Sequence, residues 1–492
     1  MQSTCPPTEK LHRGRAERSQ RAHKLVGDPR PVGLRVCAIV VTLSVTCAGV
    51  AGCGDPPDAG APLRLTPPMG WNSWNSGIPL TEDTVKATVD AMVASGMRDA
   101  GYRYVNLDAG WAAPTRTSDG KLRADPTTFP HGIAALARYA HDRGMLLGLY
   151  ASPYDETCGQ DPRIASAGHE DTDARTFAAW GVDYLKYDWC HTDADHATQV
   201  KLFTAMRNAL RATGRRIFYS INPNSSSDHH AGTGYDWSGV ADMTRNTTDL
   251  VPVWRNTLPP LDSTDAFVTG TYLGVPDEFR ASWPAASRSH TGYFNDPDMM
   301  VVGLSWSDFF VNHLDVSRLI VSEDQLTPER LQKLRVKLAL SNAEVSWRAK
   351  AQPSLTESEQ RSHFSLWAML AAPLLAGNDV RTMSDQTRAI LTNRDVIAVD
   401  QDTLAAQAMA SPHDNRVLVK PLADGAVAVA LFNADDQPAA ITTNASAAGL
   451  HDARCYAARD LWTHTDATTA GDITRTVAPH DVVMLRISPA CR

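Results

Sequence analysis

The chain repeatedly sets a short apolar run, polar only at its C-terminal end, beside a longer amphipathic stretch. The runs are YVNLD from 104, MLLGLYAS from 145, VDYLKYD from 182, RRIFYSI from 215 and PLLAGND from 373. Short and apolar throughout, they predict strands buried on both faces. Among them, PLTEDTVKATVDAMVASGM (79–97) and GIAALARYAHDRGM (132–145) place apolar residues at helical spacing. Sustained alternation of this kind implies a parallel sheet. Its extent over residues 63–402 predicts a closed (β/α)8 TIM barrel, an α/β fold in which functional groups gather at the strand C-termini.

The pattern changes after Asp402. From about residue 411, RVLVKPL, AVAVALFN and DVVMLRIS alternate or run apolar between Gly, Asn and Asp turns, which predicts a C-terminal antiparallel β-sandwich over 403–492. One stretch exceeds a minimal barrel unit. Between Val302 and Leu355, Thr327-Pro328-Glu329 forms a helix-start signature ahead of Leu331, Leu334 and Leu338. A helical insertion at about 305–352 is expected on the catalytic face, as a wall of the cleft or a subunit contact.

The N-terminus differs in charge from the rest. Residues 1–52 carry eight Lys/Arg against three acidic residues, while the whole chain has a formal net charge of −8. The remainder is therefore strongly acidic and unsuited to nucleic acid, whose phosphates it would repel. The uncharged run VCAIVVTLSVTCAGVAG (36–52) is shorter than the roughly 20 residues a spanning helix needs and has the character of an export-signal core. It ends in Val50-Ala51-Gly52-Cys53, which resembles a lipoprotein box. Residues 1–53 are thus expected to be a lipoprotein-type signal, with Cys53 lipidated and GDPPDAGAP (54–62) a tether. Contact with a membrane is expected only through that anchor. Export leaves Cys158, Cys190, Cys455 and Cys491 in the folded protein. An even set in an oxidising compartment suggests two bridges, and spacing favours Cys158 with Cys190 and Cys455 with Cys491. A zinc site has no CxxC or HxxxH spacing to support it, and no metal or organic cofactor is expected.

Acidic residues at the mouths of parallel strands suit glycoside hydrolysis. A retaining mechanism uses one carboxylate as nucleophile and another as acid, then base, about 5 to 5.5 Å apart. Spacing nominates Asp108, Asp188, Asp249, Asp296 and Asp298 without choosing among them.

A series of motifs narrows the choice. TPPMGWNSWN (66–75), ADPTTFPHGI (124–133), LKYDWC (185–190), NDPDMMVVG (295–303) and APLLAGND (372–379) resemble, in order, the landmarks of glycoside hydrolase family 27, the α-galactosidase and melibiase family. The resemblance runs from about Leu65 to the C-terminus. It implies a retaining exo-glycosidase acting on terminal α-D-galactosyl residues of an oligo- or polysaccharide, with Asp188 as nucleophile and Asp249 as general acid/base. It further implies sugar contacts from Trp74, Asp108, Tyr150, Lys186 and Arg245. Lys186, two residues before Asp188 on the same strand face, is expected to lower the nucleophile's pKa. Arg245 is expected one helical turn before Asp249. Trp111 also has a face suited to a pyranose ring, Trp71 is expected to be structural, and Asp296 and Asp298 to stabilise the barrel mouth.

Two departures stand out. Family members commonly carry adjacent aspartates after the second strand, whereas here Ala109 follows Asp108. Losing a charged acceptor for a hydroxyl removes roughly 1.5 to 3 kcal/mol of discrimination. SINPNS (220–225) stands where many relatives have Cys-Glu-Trp, making Asn222 the substitute near the 2-hydroxyl. A shifted specificity would resemble the family's β-L-arabinopyranosidases or isomaltodextranases. The alternative outside enzymes is a surface lipoprotein that binds oligosaccharide without cutting it.

Overall fold

The computed structural model describes residues 66–491, apart from 114, 155–156, 159–164, 190–194, 225–227, 229, 259–271, 315–341 and 452. Its first sheet has eight parallel strands: β1 (Met69–Asn72), β2 (Tyr104–Asn106), β3 (Leu146–Ala151), β4 (Tyr184–Asp188), β5 (Phe218–Asn222), β6 (Met243–Arg245), β7 (Phe294–Asp296) and β8 (Leu374–Ala376). Each pairs with its neighbour in sequence from β1 to β7, and β1 also pairs with β8. The remaining seam closes just beyond β7. Met300 forms a parallel bridge with Ala376, donating to the Leu375 carbonyl at 2.7 Å and accepting from Gly377 at 3.0 Å. The sheet is therefore a barrel, as the alternation predicted.

All five apolar runs become strands. β1, β6 and β7 are not among those runs: they are three or four residues long and end in polar or charged groups. Helices Glu82–Ala94, Gly132–His141, Glu170–Trp180, His196–Ala212, Val275–Ser282 and Glu357–Leu370 lie between strands. Several start where the sequence supplies a cap. Thr81 and Thr356 each close a capping box, and Asp195 accepts from the Thr198 amide at 2.7 Å.

Trp111 joins the core instead of the site. It is fully buried, donates from Nε1 to the Tyr150 carbonyl at 3.0 Å, and packs edge-on against Phe177 and Trp180. The helix layer outside the barrel takes up its face, so no sugar can reach it. Trp71 is also fully buried, its Nε1 held by the Asn378 carbonyl at 2.8 Å.

The C-terminal part is antiparallel. β9 (Met409–Ala410), β10 (Val417–Pro421), β11 (Val427–Phe432), β13 (Cys455–Asp460), β14 (Asp466–Thr469) and β16 (Val482–Cys491) form one sheet. β12 (Ala439–Asn444) and β15 (Asp472–Val477) form a second. Val417, Val429, Leu431, Ile441, Ile473, Leu485 and Ile487 share a core between the layers. Cys455 and Cys491 face each other in register and form a disulfide, with Cα atoms 5.1 Å apart. Cys158 is likewise disulfide-bonded, while Cys190 and Cys53 lie outside the described residues.

Sandwich and barrel share apolar packing. Leu418, Ala428, Ala430, Phe432 and Met484 belong to the same buried cluster as Phe364 and Trp367 of helix Glu357–Leu370. Polar ties cross this contact as well: Lys420 Nζ donates to the Ala368 carbonyl at 2.9 Å, and Trp462 Nε1 to Ser365 Oγ at 2.9 Å.

Of the insertion, helices Trp306–Leu314 and Asn342–Arg348 are described, whereas the signature at Thr327 lies outside the described residues. Trp306, Phe309, Phe310 and Ala349 cluster with Val251, Val253 and Leu258 of the loop after β6. No helix among the described residues is long and apolar enough to cross a membrane.

Gly148 on β3 has no room for a side chain. A Cβ there would run into the Asn106 amide oxygen and meet Tyr184 Cβ at 3.0 Å. Gly148→Ala is therefore expected to lower unfolding free energy by about 1 to 3 kcal/mol in urea denaturation, with an unchanged m-value.

Candidate active site

Parallel pairing brings the C-terminal ends of all eight strands to one rim. On β4, Tyr184, Lys186 and Asp188 alternate inward while Tyr187 packs outward on Phe203 and Tyr219. β5 repeats the device: Ser220 pairs with Lys186 and Asn222 with Asp188 in the register. These residues join Asn72, Arg245, Asp296, Asp298, Met299 and Leu375 in lining a cavity at the rim.

Lys186 organises one side. Its Nζ lies 2.8 Å from Asp108 Oδ2 and 3.3 Å from Asp188 Oδ2. Asn72 Nδ2 donates to the same Asp108 oxygen at 3.1 Å, and the Ala109 amide donates to Oδ1 at 2.9 Å. Asp108 thus uses both oxygens within the protein, holding the lysine in place. Asp188 is buried, its side chain 7% exposed. Burial raises its carboxyl to about 6, Lys186 opposes this, and Asp108 adds to it. Lys186 therefore acts with the expected sign, but desolvation outweighs it.

Arg245 organises the other side. It ends β6, and Asp249 follows in an irregular loop, not on a helical turn. Arg245 Nη2 donates to Asp249 Oδ1 at 2.8 Å and to the Thr248 carbonyl, while Nη1 lies 3.0 Å from Asp298 Oδ1. The Asp249 side chain is 45% exposed. Desolvation in the cleft pushes its carboxyl up, but the guanidinium outweighs this, with help from a hydrogen bond to Tyr272, and holds it below the usual carboxylate range.

Asp298 ties these parts together. Its backbone is left-handed at φ 84°, a strained conformation for a residue with a Cβ. Oδ2 accepts from the Leu250 amide at 2.9 Å, Oδ1 from the Met299 amide at 2.7 Å, and its carbonyl from Trp367 Nε1 at 2.9 Å. Burial lifts its carboxyl to about 7 against the pull of Arg245. It makes the mouth-stabilising bonds expected of it and also lines the cavity, as does Asp296. Glu278, fully buried, is pushed well above its ordinary value by desolvation.

The other expected residues are placed unevenly. Lys186, Asn222 and Arg245 line the cavity; Asp108 reaches it through Lys186. Tyr150 is 1% exposed, its hydroxyl accepting from the Cys158 amide at 3.2 Å and its ring 5.3 Å from Lys186 Nζ. It stands behind the lysine and away from the lining. Trp74 is half-buried on the turn after β1, its amide bonded to Asn72 Oδ1 at 2.8 Å. Sequence reasoning missed Asn72, Ser220, Tyr272 and Glu278. Ser220 had a usable signal, lying two residues before Asn222 on one strand face; Tyr272 and Glu278 reach the site only through the fold.

A buried carboxylate on a strand and a half-exposed one on a neighbouring loop, at the C-terminal rim of a barrel, suit glycoside hydrolysis, and the family matches make the class a glycoside hydrolase. Comparison with known proteins narrows it. Residues 66–313 and 351–402 match the family model described as Alpha galactosidase A, and 412–487 that of the Alpha galactosidase C-terminal beta sandwich domain. The α-galactosidase of Oryza sativa subsp. japonica is 35% identical over 433 residues, covering 87% of this chain and 86% of the relative. α-Galactosidase A of Cellvibrio japonicus is 34% identical over 445 residues, covering 87% and 93%. The crystal structure of α-galactosidase I from Mortierella vinacea superposes with a TM-score of 0.69 at 29% identity, covering 87% and 98%. The chain belongs to glycoside hydrolase family 27, the α-galactosidase family.

Asp188 and Asp298 bind protons more tightly folded than unfolded, so the stability they lend is full below about pH 4 and lost as pH rises through about 6 and about 7. The melting temperature is expected to fall from pH 5 to pH 8. Asp298→Asn should flatten that fall in a pH series of thermal melts.

Proposed function

We propose that the protein hydrolyses terminal α-D-galactosyl residues with net retention, using Asp188 as nucleophile and Asp249 as general acid/base. The Asp188 carboxylate attacks the anomeric carbon while Asp249 gives a proton to the departing glycosidic oxygen, leaving a glycosyl ester on Asp188. Asp249 then takes a proton from water, whose oxygen displaces Asp188 from the sugar. The observation carrying this reading is the contrast between the two carboxyls. Asp188 is fixed at the cavity wall beside Lys186, and Asp249 is half-exposed on the loop after β6, paired with Arg245. A sugar hydroxyl competing for that guanidinium would free Asp249 to hold its proton. Lys186, Asn222 and Arg245 supply hydroxyl contacts, Asp108 and Tyr150 set the lysine, and Trp74 offers its ring to the sugar's apolar face.

A second specificity is favoured by Ala109, which stands where family members commonly carry the second of two adjacent aspartates. A β-L-arabinopyranoside, which lacks the hydroxymethyl of galactose, loses nothing at that position. Export as a lipid-anchored or secreted protein, with residues 1–53 as signal and Cys53 as anchor, is supported by the disulfides, which persist outside the reducing cytosol.

Asp188→Asn is expected to cut kcat by roughly 10⁴-fold with the melting curve retained, and NMR should show α-galactose as the first product; an initial β-anomer would end the retaining reading. In the wild type, kcat/KM should drop about tenfold per pH unit below about 6, where Asp188 takes up a proton. Ala109→Asp is expected to raise the ratio of nitrophenyl α-galactoside to nitrophenyl β-L-arabinopyranoside turnover about tenfold, the equivalent of one recovered charged hydrogen bond.

A further inference from the structure

The loop that carries Asp249 continues into the sandwich. Trp254, 6% exposed, lies with its ring 4.8 Å from that of His480 and nearly parallel at 22°, and edge-on to Phe432 at 5.9 Å. Arg255 Nη2 donates to the Ala434 carbonyl at 3.0 Å. His480 is itself clamped. Its Nδ1 lies 2.7 Å from Glu359 Oε1, its Nε2 2.8 Å from Asp436 Oδ1, and Ser362 Oγ donates to its carbonyl at 2.9 Å. Its backbone is left-handed at φ 55°, a conformation that a residue with a Cβ keeps only where its surroundings impose it.

The chain between Trp254 and Asp249 has little slack. The Val251 amide donates to the Leu273 carbonyl at 3.0 Å, the Leu273 amide to the Asp249 carbonyl at 3.3 Å, and the Val275 amide to the Val253 carbonyl at 3.2 Å. Gly274 sits so close to the Trp254 carbonyl that a Cβ would collide with it. Trp254 and Asp249 therefore lie on one segment bonded along its length to residues 273–275.

We propose that His480 is a positioning residue for Asp249, acting through Trp254, so that the C-terminal sandwich aims the acid/base carboxylate. This rests on the reading of Asp249 as the acid/base. His480 does not line the cavity and contributes nothing directly to the chemistry. Its effect is selective, because a misaimed Asp249 fails where the leaving oxygen needs a proton and is immaterial where it does not. Misplacing a catalytic group by about 1 Å is enough for a loss on the order of a hundredfold.

The test compares kcat/KM, which reports the first bond cleavage, for methyl α-galactoside and 2,4-dinitrophenyl α-galactoside. His480→Ala, His480→Gln and Trp254→Ala are measured beside Asp249→Ala, each checked by thermal melting. His480→Gln keeps a polar partner for Glu359 while removing the ring, and Trp254→Ala breaks the link from the barrel side, so either decides the matter if His480→Ala does not fold. The expected result is a loss of about tenfold to a hundredfold on the methyl galactoside and less than about twofold on the dinitrophenyl one. Equal losses on both substrates, or none on either, overturn the proposal for His480. If Asp249→Ala itself shows no dependence on the leaving group, the acid/base reading fails instead, independently of His480.

Discussion

Closing a parallel barrel forces the polar ends of eight strands and the loops after them onto one small rim, and here that rim gathers five aspartates. Asp108, Asp188, Asp249, Asp296 and Asp298 crowd around two cations, Lys186 and Arg245. Neither cation is free to relax. Desolvation would lower Lys186, yet Asp108 and Asp188 keep it charged well above its ordinary range, and Asp298 with Asp249 does the same for Arg245. Like charges at such distances are tolerated only because each cation is shared and some carboxyls hold their protons. The rest of the site follows from how unequally that sharing is done.

The inequality distinguishes two carboxyls of the same chemical type. Asp188 is fixed by strand geometry beside a lysine already engaged with Asp108, so burial dominates it. Asp249 rides on a loop, half-exposed, facing an arginine that can bond it through a fork. One residue is therefore held by the barrel, and the other by whatever holds the loop. Asp298 supplies part of that support from within the rim, at the expense of a left-handed backbone. The rest comes from outside the barrel: the insertion's aromatic cluster packs on Val251 and Val253, and the sandwich packs on Trp254. A C-terminal domain that, among the described residues, lines no part of the cavity thus packs against the loop of its rim.

Asp108 illustrates how a strand-end position can be legible in sequence while the side chain's partners are not. The run YVNLD places it at the second strand's end, and the fold puts it just beyond β2. Its two oxygens, however, are taken up by Lys186, Asn72 and the Ala109 amide. Trp111 shows the opposite case, an aromatic residue beside a catalytic-face motif whose ring is claimed wholly by the helix layer.

Local pattern by itself determined the alternation of strand and helix, the change to antiparallel sheet after Asp402, the pairing of Cys455 with Cys491, and the nomination of five aspartates at or near strand ends among which it could not choose. Each of these depends on neighbours in sequence: a period of two or 3.6, a cap, a cysteine count. Tertiary structure alone decided the proton affinities of Asp188 and Asp249, the engagement of Tyr272 and Glu278, and the grip of His480 on Trp254. Those depend on which distant groups share a desolvated space, and Coulomb and solvation energies are set by distance through space, which no spacing along the chain records.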